Sequence, residues 1–386
     1  MNAPVYLDNN ATTPCDPQVL EAMLPYFTTQ FGNAASRTHL YGWQAEESVD
    51  LAREQVAALI GCDKQEIIFT SGATESDNLA IKAVYETYTS RGRHIITCST
   101  EHSAVLDTCR YLEKLGAEVS FLPVDVNGLV NLEELEAAIR PDTILVCIMM
   151  ANNETGVIQP IREIGAIAKK HQVLFFTDAT QAVGKIPVDV REMGIDLLAL
   201  SAHKIYGPKG VGALYVRRRD PRVRLAAQLH GGGHERGNRS GTLNVPGIVG
   251  LGKACAICAA TMESEAVRLS SLREKLQKSL LQHADIRVNA AGAPRLPQTL
   301  NVSFSGIESQ AMMMGFSGEL AVSSGSACSS ATLEPSHVLR AMGLSDEAAL
   351  GAIRFSLGRF TTEEDILRTI DIISRSVNGL RQVLPG

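Results

Sequence analysis

The chain reads as a series of short apolar runs, each ending in polar residues and each followed by a stretch with helical spacing. Runs at Ile67 to Thr70, His94 to Thr100, Thr143 to Ala151, Val173 to Asp178 and Ile195 to Leu200 have the length and composition of buried strands. The polar residues that close them are Ser71-Gly72-Ala73-Thr74, Glu101-His102-Ser103, Asn152-Asn153-Glu154, Asp178 to Gln181, and Ser201 to Lys204. Gly207, Pro208, Gly210 and Gly212 then force a turn, and a further apolar run returns from Gly212 to Val216. Strands alternating with helices predict an α/β fold, a mostly parallel sheet covered by helices. In such sheets ligands bind outside the carboxyl ends of the strands. Thr74, His102, Asn153, Asp178, Gln181, Ser201, His203 and Lys204 are therefore expected to converge on one edge.

The flanking segments read differently. Val5 to Leu7 predicts a short strand, and Asp8 to Pro14 a polar turn whose Asn9 and Asn10 either cap it or bind a polar ligand. PQVLEAMLPYF is helical, a glycine-bearing loop with Trp43 as a packing anchor follows, and a second helix stops at Gly61. Gly247 to His283 is helical; its lone Cys255-x-x-Cys258 has no second pair for zinc and is assigned to core packing. The domain change is placed here, with a large domain over 16–258 and a smaller one built from 1–15 and 259–386. Beyond a Gly/Pro-rich joint, the pattern gives a strand in LNVSFSG, a helix around Glu308 to Phe316, and a short strand carrying Arg354.

Composition narrows the function classes. A chain of 386 residues with 45% hydrophobic and 20% charged residues is of ordinary globular make-up. A net charge of −6 argues against general affinity for nucleic acid or an anionic membrane. Met1-Asn2-Ala3-Pro4 lacks the basic start of a signal peptide, and Thr143 to Ala151 is too short to span a bilayer. Eight scattered cysteines do not form a secreted disulfide framework, so the cytoplasm is the expected compartment.

Lys204 is either a solvated loop lysine or an amine partly desolvated at a strand exit, where a lowered pKa would let it form a Schiff base. The helix start at Ala73-Thr74 is either an ordinary N-cap or an anion site; no Walker loop is present. VRRRDPRVRL is either a solvated strand end or a patch for an acidic partner. The glycine-rich loop from His230 to Thr242 suits closure on a phosphate or on a second subunit better than metal binding. Cys328 sits among Ser323, Ser324, Gly325, Ser326, Ala327, Ser329 and Ser330, a run of small polar residues that makes it an accessible, reactive thiol unless it is inert. Arg354 offers a fork for a substrate carboxylate. A Schiff-base lysine, an anion site, an acid and a carboxylate-binding arginine together are the needs of pyridoxal phosphate.

Nine motifs carry a resemblance: YLDNNATTP, FTSGATESDN, TEHSAV, ANNETG, TDATQAVGK, SAHKIYGPKG, GGGHERGNRSGT, SSGSACSSATLEPSHVLRA and IRFSLGRFTTEE. Across essentially its whole length the sequence resembles the cysteine desulfurases of the NifS/IscS type, in the pyridoxal-phosphate fold-type I superfamily. The resemblance implies a seven-stranded sheet in the large domain, a smaller α+β domain with a mobile Cys328 loop, and a homodimer. It implies that Lys204 carries the cofactor, that Asp178 keeps the pyridine nitrogen protonated, and that Gln181 and Asn153 face the phenolic oxygen. His102 would stack on the ring and serve catalysis by shuttling protons, and the Ala73 backbone, Thr74, Ser201 and His203 would hold the phosphate, with Thr242 supplied by the partner subunit. Arg354, helped by Asn9 or Asn10, would take the carboxylate of L-cysteine, and Cys328 would receive its sulfur as a persulfide for an iron–sulfur scaffold or another acceptor. No stable metal site is implied, Cys328 serving at most as a transient iron–sulfur ligand shared with a scaffold. Gly32-Asn33 is followed by Ala34 where the family usually has proline, and the sequence closes on LRQVLPG, where housekeeping members often continue into a scaffold-binding tail. A lyase acting on selenocysteine or cysteine sulfinate, and a protein that only senses pyridoxal phosphate, are the competing readings.

Overall fold

A computed structural model describes residues 3–283, 285–324 and 334–383. Cys328 and its immediate neighbours lie outside the described residues. The strands are β1 (Val5–Tyr6), β2 (Ile67–Thr70), β3 (His94–Cys98), β4 (Glu118–Leu122), β5 (Thr143–Cys147), β6 (Leu174–Asp178), β7 (Leu197–Ser201), β8 (Gly212–Val216), β9 (Ile286–Val288), β10 (Thr299–Phe304), β11 (Leu320–Ala321), β12 (Ser323–Ser324) and β13 (Ala352–Ser356).

Seven of them form one sheet in the order β2-β8-β7-β6-β5-β3-β4. The pairs from β4 through β7 are all parallel, and β8 alone runs against its two neighbours. The parallel strands β3, β5, β6 and β7 are buried at every position, as expected of strands covered on both faces. One face packs against the helices Leu40–Ile60 and Val245–Leu280, the other against Ala73–Tyr88 and Ser103–Glu113. Edge strand β4 fully buries only Leu122, and its sequence EVSFL lacks the continuous apolar run of the central strands.

A second sheet, β12-β13-β10-β9, is wholly antiparallel. Leu300, Val302, Phe304, Phe355 and Ile373 form its core with helix Glu363–Val383. The helix Val245–Leu280 joins the two cores without a break: Ile248, Leu251, Cys255 and Cys258 belong to the large one, Leu269, Leu276 and Leu280 to the small one. The position of the expected boundary, 258, falls inside this helix. By length and composition the helix could cross a bilayer, but half of that stretch is buried within the protein.

Trp43 does not anchor the core. The helix begins at Leu40, earlier than its sequence suggests, and turns Gly42, Ala45, Val49 and Ala52 inward, which leaves Trp43 52% exposed with its Nε1 donating to Arg37 O. It lies in a segment with other exposed apolar side chains, Phe27, Phe31, Leu40 and Tyr41.

The glycine-rich loop past β8 is held by Glu235. Its carboxylate accepts from both terminal nitrogens of Arg53 (2.8 and 2.7 Å) and from the Phe69 N–H on the outer edge of β2 (2.9 Å). Arg53 also stacks 4.5 Å over the Phe69 ring. Glu235→Ala would leave the buried guanidinium without its counter-ion, and such losses cost about 3 kcal/mol or more. Urea unfolding of the variant is expected to show a lower midpoint, whereas an unchanged midpoint would mean the pair adds nothing net.

Candidate active site

The exits of β2, β3, β5, β6 and β7 line one cavity of about 990 Å³. Ala73, Thr74, His102, Asn153, Asp178, Gln181, Ser201, His203 and Lys204 all face it, together with Asn10 and Arg354. Close approach of these exits depends on Gly212: a Cβ there would lie 2.6 Å from Leu200 O and 2.7 Å from Gly72 Cα.

Lys204 ends a single 3₁₀ turn, Ala202–Lys204, directly after β7. Its Nζ donates to the carbonyls of Asn10 (2.6 Å) and Ala11 (2.7 Å). Burial pushes its pKa down to about 8, reinforced by the Arg354 charge and opposed by Asp178 and Asp8. The neighbouring contacts pin the N-terminal segment into the site, since Thr13 donates from both its N–H and its hydroxyl to His203 O.

At the start of helix Ala73–Tyr88 the cap is Gly72, at φ 155°, and no side chain caps the helix. The free N–H groups there face the cavity, and the Ser201 hydroxyl has no hydrogen-bond partner among the described residues. Glu75, in the same first turn, is held by Arg239 (2.7 Å) and the Ser71 N–H. His203 is pushed down to about 4 by burial and by Lys204 and Lys209, so it is neutral near pH 7; its Nδ1 lies 3.1 Å from Thr12 Oγ1. An anion fits this corner.

The floor is acidic. Asp178 accepts from the Thr180 N–H (2.9 Å). Asp77 lines the cavity at 1% exposure, and neither of its oxygens has a hydrogen-bond partner among the described residues. Burial, then Asp178 and Glu101, push Asp77 well above the usual carboxylate range. Burial does the same to Glu101, against a hydrogen bond from the Met149 N–H (2.7 Å). A protonated ring nitrogen would answer this excess of carboxyl groups. The residues present therefore fit a phosphate-bearing aldehyde with a basic ring, held at Lys204.

His102 caps helix Ser103–Glu113, with Nδ1 accepting from the Ala104 N–H (3.1 Å), so a neutral ring carries its proton on Nε2. The Asn153 side chain has no hydrogen-bond partner among the described residues, while its carbonyl accepts from Asn10 Nδ2 and Arg354 Nη1. Arg354, on β13, is set by Asp8 (2.7 Å), Ser323 Oγ (3.0 Å) and that carbonyl (2.9 Å), with Nε buried and unpaired among the described residues.

One of the two expected asparagines is placed elsewhere. Asn9 is turned from the cavity because its Nδ2 donates to Ser356 O (2.9 Å), and Asn10, whose amide is consumed by Asn153 O, Thr299 and Gln298, acts through its carbonyl. Thr242 is exposed on the glycine-rich loop, outside this chain's own cavity. Asp77, Glu154, His337 and Lys209 line the cavity without having been singled out in the sequence. Ser336 Oγ donates to Glu154 Oε2, which ties the end of the Cys328 segment to the exit of β5.

The family model described as aminotransferase class-V matches residues 5–368. A relative from Anaeromyxobacter dehalogenans (strain 2CP-C), named cysteine desulfurase IscS, is 57% identical over all of this chain and 95% of its own length. The chain belongs to the class-V aminotransferase family, among the cysteine desulfurases. A NifS-like protein structure is 41% identical and superposes with a TM-score of 0.89 over 98% of this chain and 99% of its own. A structure titled SspA in complex with cysteine is 39% identical, with a TM-score of 0.81 over 92% of this chain and 99% of its own. Desulfurases of this family depend on pyridoxal phosphate, the group the cavity fits. Only a neutral amine attacks an aldehyde, so capture of pyridoxal phosphate by the cofactor-free desulfurase is expected to speed up as pH rises and to level off above about 8. Stopped-flow absorbance reads this directly; a rate still climbing at about pH 10, where an unperturbed lysine titrates, would mean an ordinary, solvated amine.

Proposed function

We propose that this chain releases sulfur from L-cysteine as a pyridoxal-phosphate enzyme, leaving L-alanine and a persulfide on Cys328. The observation that carries the reading is the placement of Lys204, at a depressed pKa, in one cavity with the uncapped helix start and the Arg354 fork. When bound, pyridoxal phosphate supplies an electron sink that makes the Cα proton of the substrate acidic. Lys204 holds the cofactor and, as a free amine, is placed to take that proton. Asp178 is assigned to the pyridine nitrogen, Gln181 and Asn153 to the phenolic side, and His102 to the ring face. Ala73, Thr74, Ser201 and His203 are assigned to the phosphate, with Thr242 completing the site of a partner subunit. Arg354, preset by Asp8 and Ser323, orients the substrate carboxylate.

The Cys328 thiolate attacks the substrate sulfur; an S–S bond forms as the C–S bond breaks, and Cβ gains a proton. The persulfide then passes to an iron–sulfur scaffold or another sulfur acceptor. The exposed position of Thr242 and the exposed Phe27, Phe31, Tyr41 and Trp43 support a homodimer. Seven cysteines among the described residues are free thiols, which suits a reducing compartment, the cytoplasm. We assign 16–258 to the large domain and 1–15 with 259–386 to the small one.

Incubation with L-cysteine and a thiol reductant tests the reading. Sulfide and alanine are expected in equal amounts; pyruvate and ammonia beside the sulfide would overturn it.

A further inference from the structure

The motif that carries Asp178 and Gln181 ends in Lys185, which the reaction does not use. Lys185 is partly buried beside a small internal cavity and carries no ion pair among the described residues. Its one hydrogen bond there is from Nζ to Gln181 Oε1, at 2.9 Å. Gln181 in turn donates from Nε2 to Asn10 O (2.9 Å), the carbonyl that also accepts from Lys204 (2.6 Å). An ammonium has no lone pair, so the atom facing Lys185 is the amide oxygen. A carbonyl has no proton, so the atom facing Asn10 is the amide nitrogen. The second N–H on Nε2 is left for the cavity, which Gln181 lines. The Lys185 amine, the amide oxygen and the amide N–H form a chain in which each hydrogen bond polarises the next.

We propose that Lys185 is a positioning residue that acts through Gln181, fixing and polarising the amide N–H that this side chain turns toward the phenolic oxygen of pyridoxal phosphate. The proposal rests on the reading of the cavity given above. Burial and the Lys204 charge push the Lys185 pKa down to about 7, as expected of an amine with no carboxylate beside it. It still has N–H groups to give in either protonation state. The role needs a lysine that is close to the site without lining it: Lys185 lies outside the large cavity, and Gln181 stands between.

A hydrogen bond to the phenolic oxygen lowers the basicity of the neighbouring Schiff-base nitrogen, so weakening it raises the pH at which the chromophore loses its proton. The test is a spectrophotometric pH titration of holoenzyme in four forms: wild type, Lys185→Met, Gln181→Leu and the double variant. Lys185→Met is expected to raise the midpoint by up to about one pH unit, the size of one ordinary buried hydrogen bond. In the Gln181→Leu background the same change is expected to move it by much less. The midpoint also feels Asp178, Asp8, Arg354 and His203, which all four proteins share. An unmoved midpoint in Lys185→Met, or an equal shift in both backgrounds, overturns the proposal, the latter because the charge would then act on the ring directly. If the methionine variant fails to fold, Lys185→Ala is read in the same two ways. A wild-type protein with no visible chromophore would instead overturn the reading of the cavity itself.

Discussion

Lys204→Ala is expected to lose the visible Schiff-base absorbance and to lower kcat by about four orders of magnitude, because the proposed roles make one residue both the covalent tether and the base. The cofactor should still bind weakly, since the helix start at Ala73, the Ser201 hydroxyl and the Asp178 carboxylate remain. Equilibrium dialysis with pyridoxal phosphate would show this residual binding beside the spectral loss. Folding should survive, because the substitution removes an ammonium that burial already disfavours. The freed Asn10 and Ala11 carbonyls face a cavity wide enough for water. A variant that kept an intact chromophore would assign the tether to another amine, and Lys209 is the other lysine lining this cavity.

Cys328→Ala separates the two halves of the reaction. The chromophore and its change on adding L-cysteine are expected to match wild type, since none of the described residues that line the cavity is altered. Alanine formation should fall by about a hundredfold or more, for want of the nucleophile that takes the sulfur. Mass spectrometry of the wild-type protein after one turnover should find the added sulfur on the peptide holding Cys328, and of the variant should find none. The other cysteines are poor substitutes: burial raises the thiol pKa of Cys98, Cys109, Cys147, Cys255 and Cys258, and raises those of Cys15 and Cys62 as well. Full desulfurase activity in Cys328→Ala would end the assignment and favour direct release of sulfur.

Much of this site could be read from the chain because each strand is an apolar run with a polar stop. β2 and β8 fall on the residues the pattern marks, and the polar stops of β5, β6 and β7 deliver Asn153, Asp178 and Lys204 to one cavity. What stayed hidden follows from the same logic. Asp77 sits inside a helix whose spacing looks ordinary, and only packing shows that its carboxyl is buried and, among the described residues, unpartnered. Asn10 contributes a backbone carbonyl, which no side-chain pattern reports. Asn9 and Asn10 are chemically equal in sequence, and what separates them is the side-chain bond that Asn9 alone makes to Ser356 O, from the far end of the chain. Trp43 misleads because a large aromatic is a core residue by default, while here the small residues Gly42 and Ala45 take the inner face.

The N-terminal segment gives the enzyme a timetable. Asp8 reaches its Arg354 partner across 346 residues, and Asn10 meets Ser356 across as many. Residues near the start of this sequence thus wait for partners that are made far later. At ordinary rates of synthesis the wait is on the order of tens of seconds. Until β13 exists, Lys204 lacks neither its strand nor its turn, but the arginine fork that would select a substrate is missing. Of the residues assigned to the site, Arg354 lies furthest along the chain, so the group that orients the substrate is the last of them to be made.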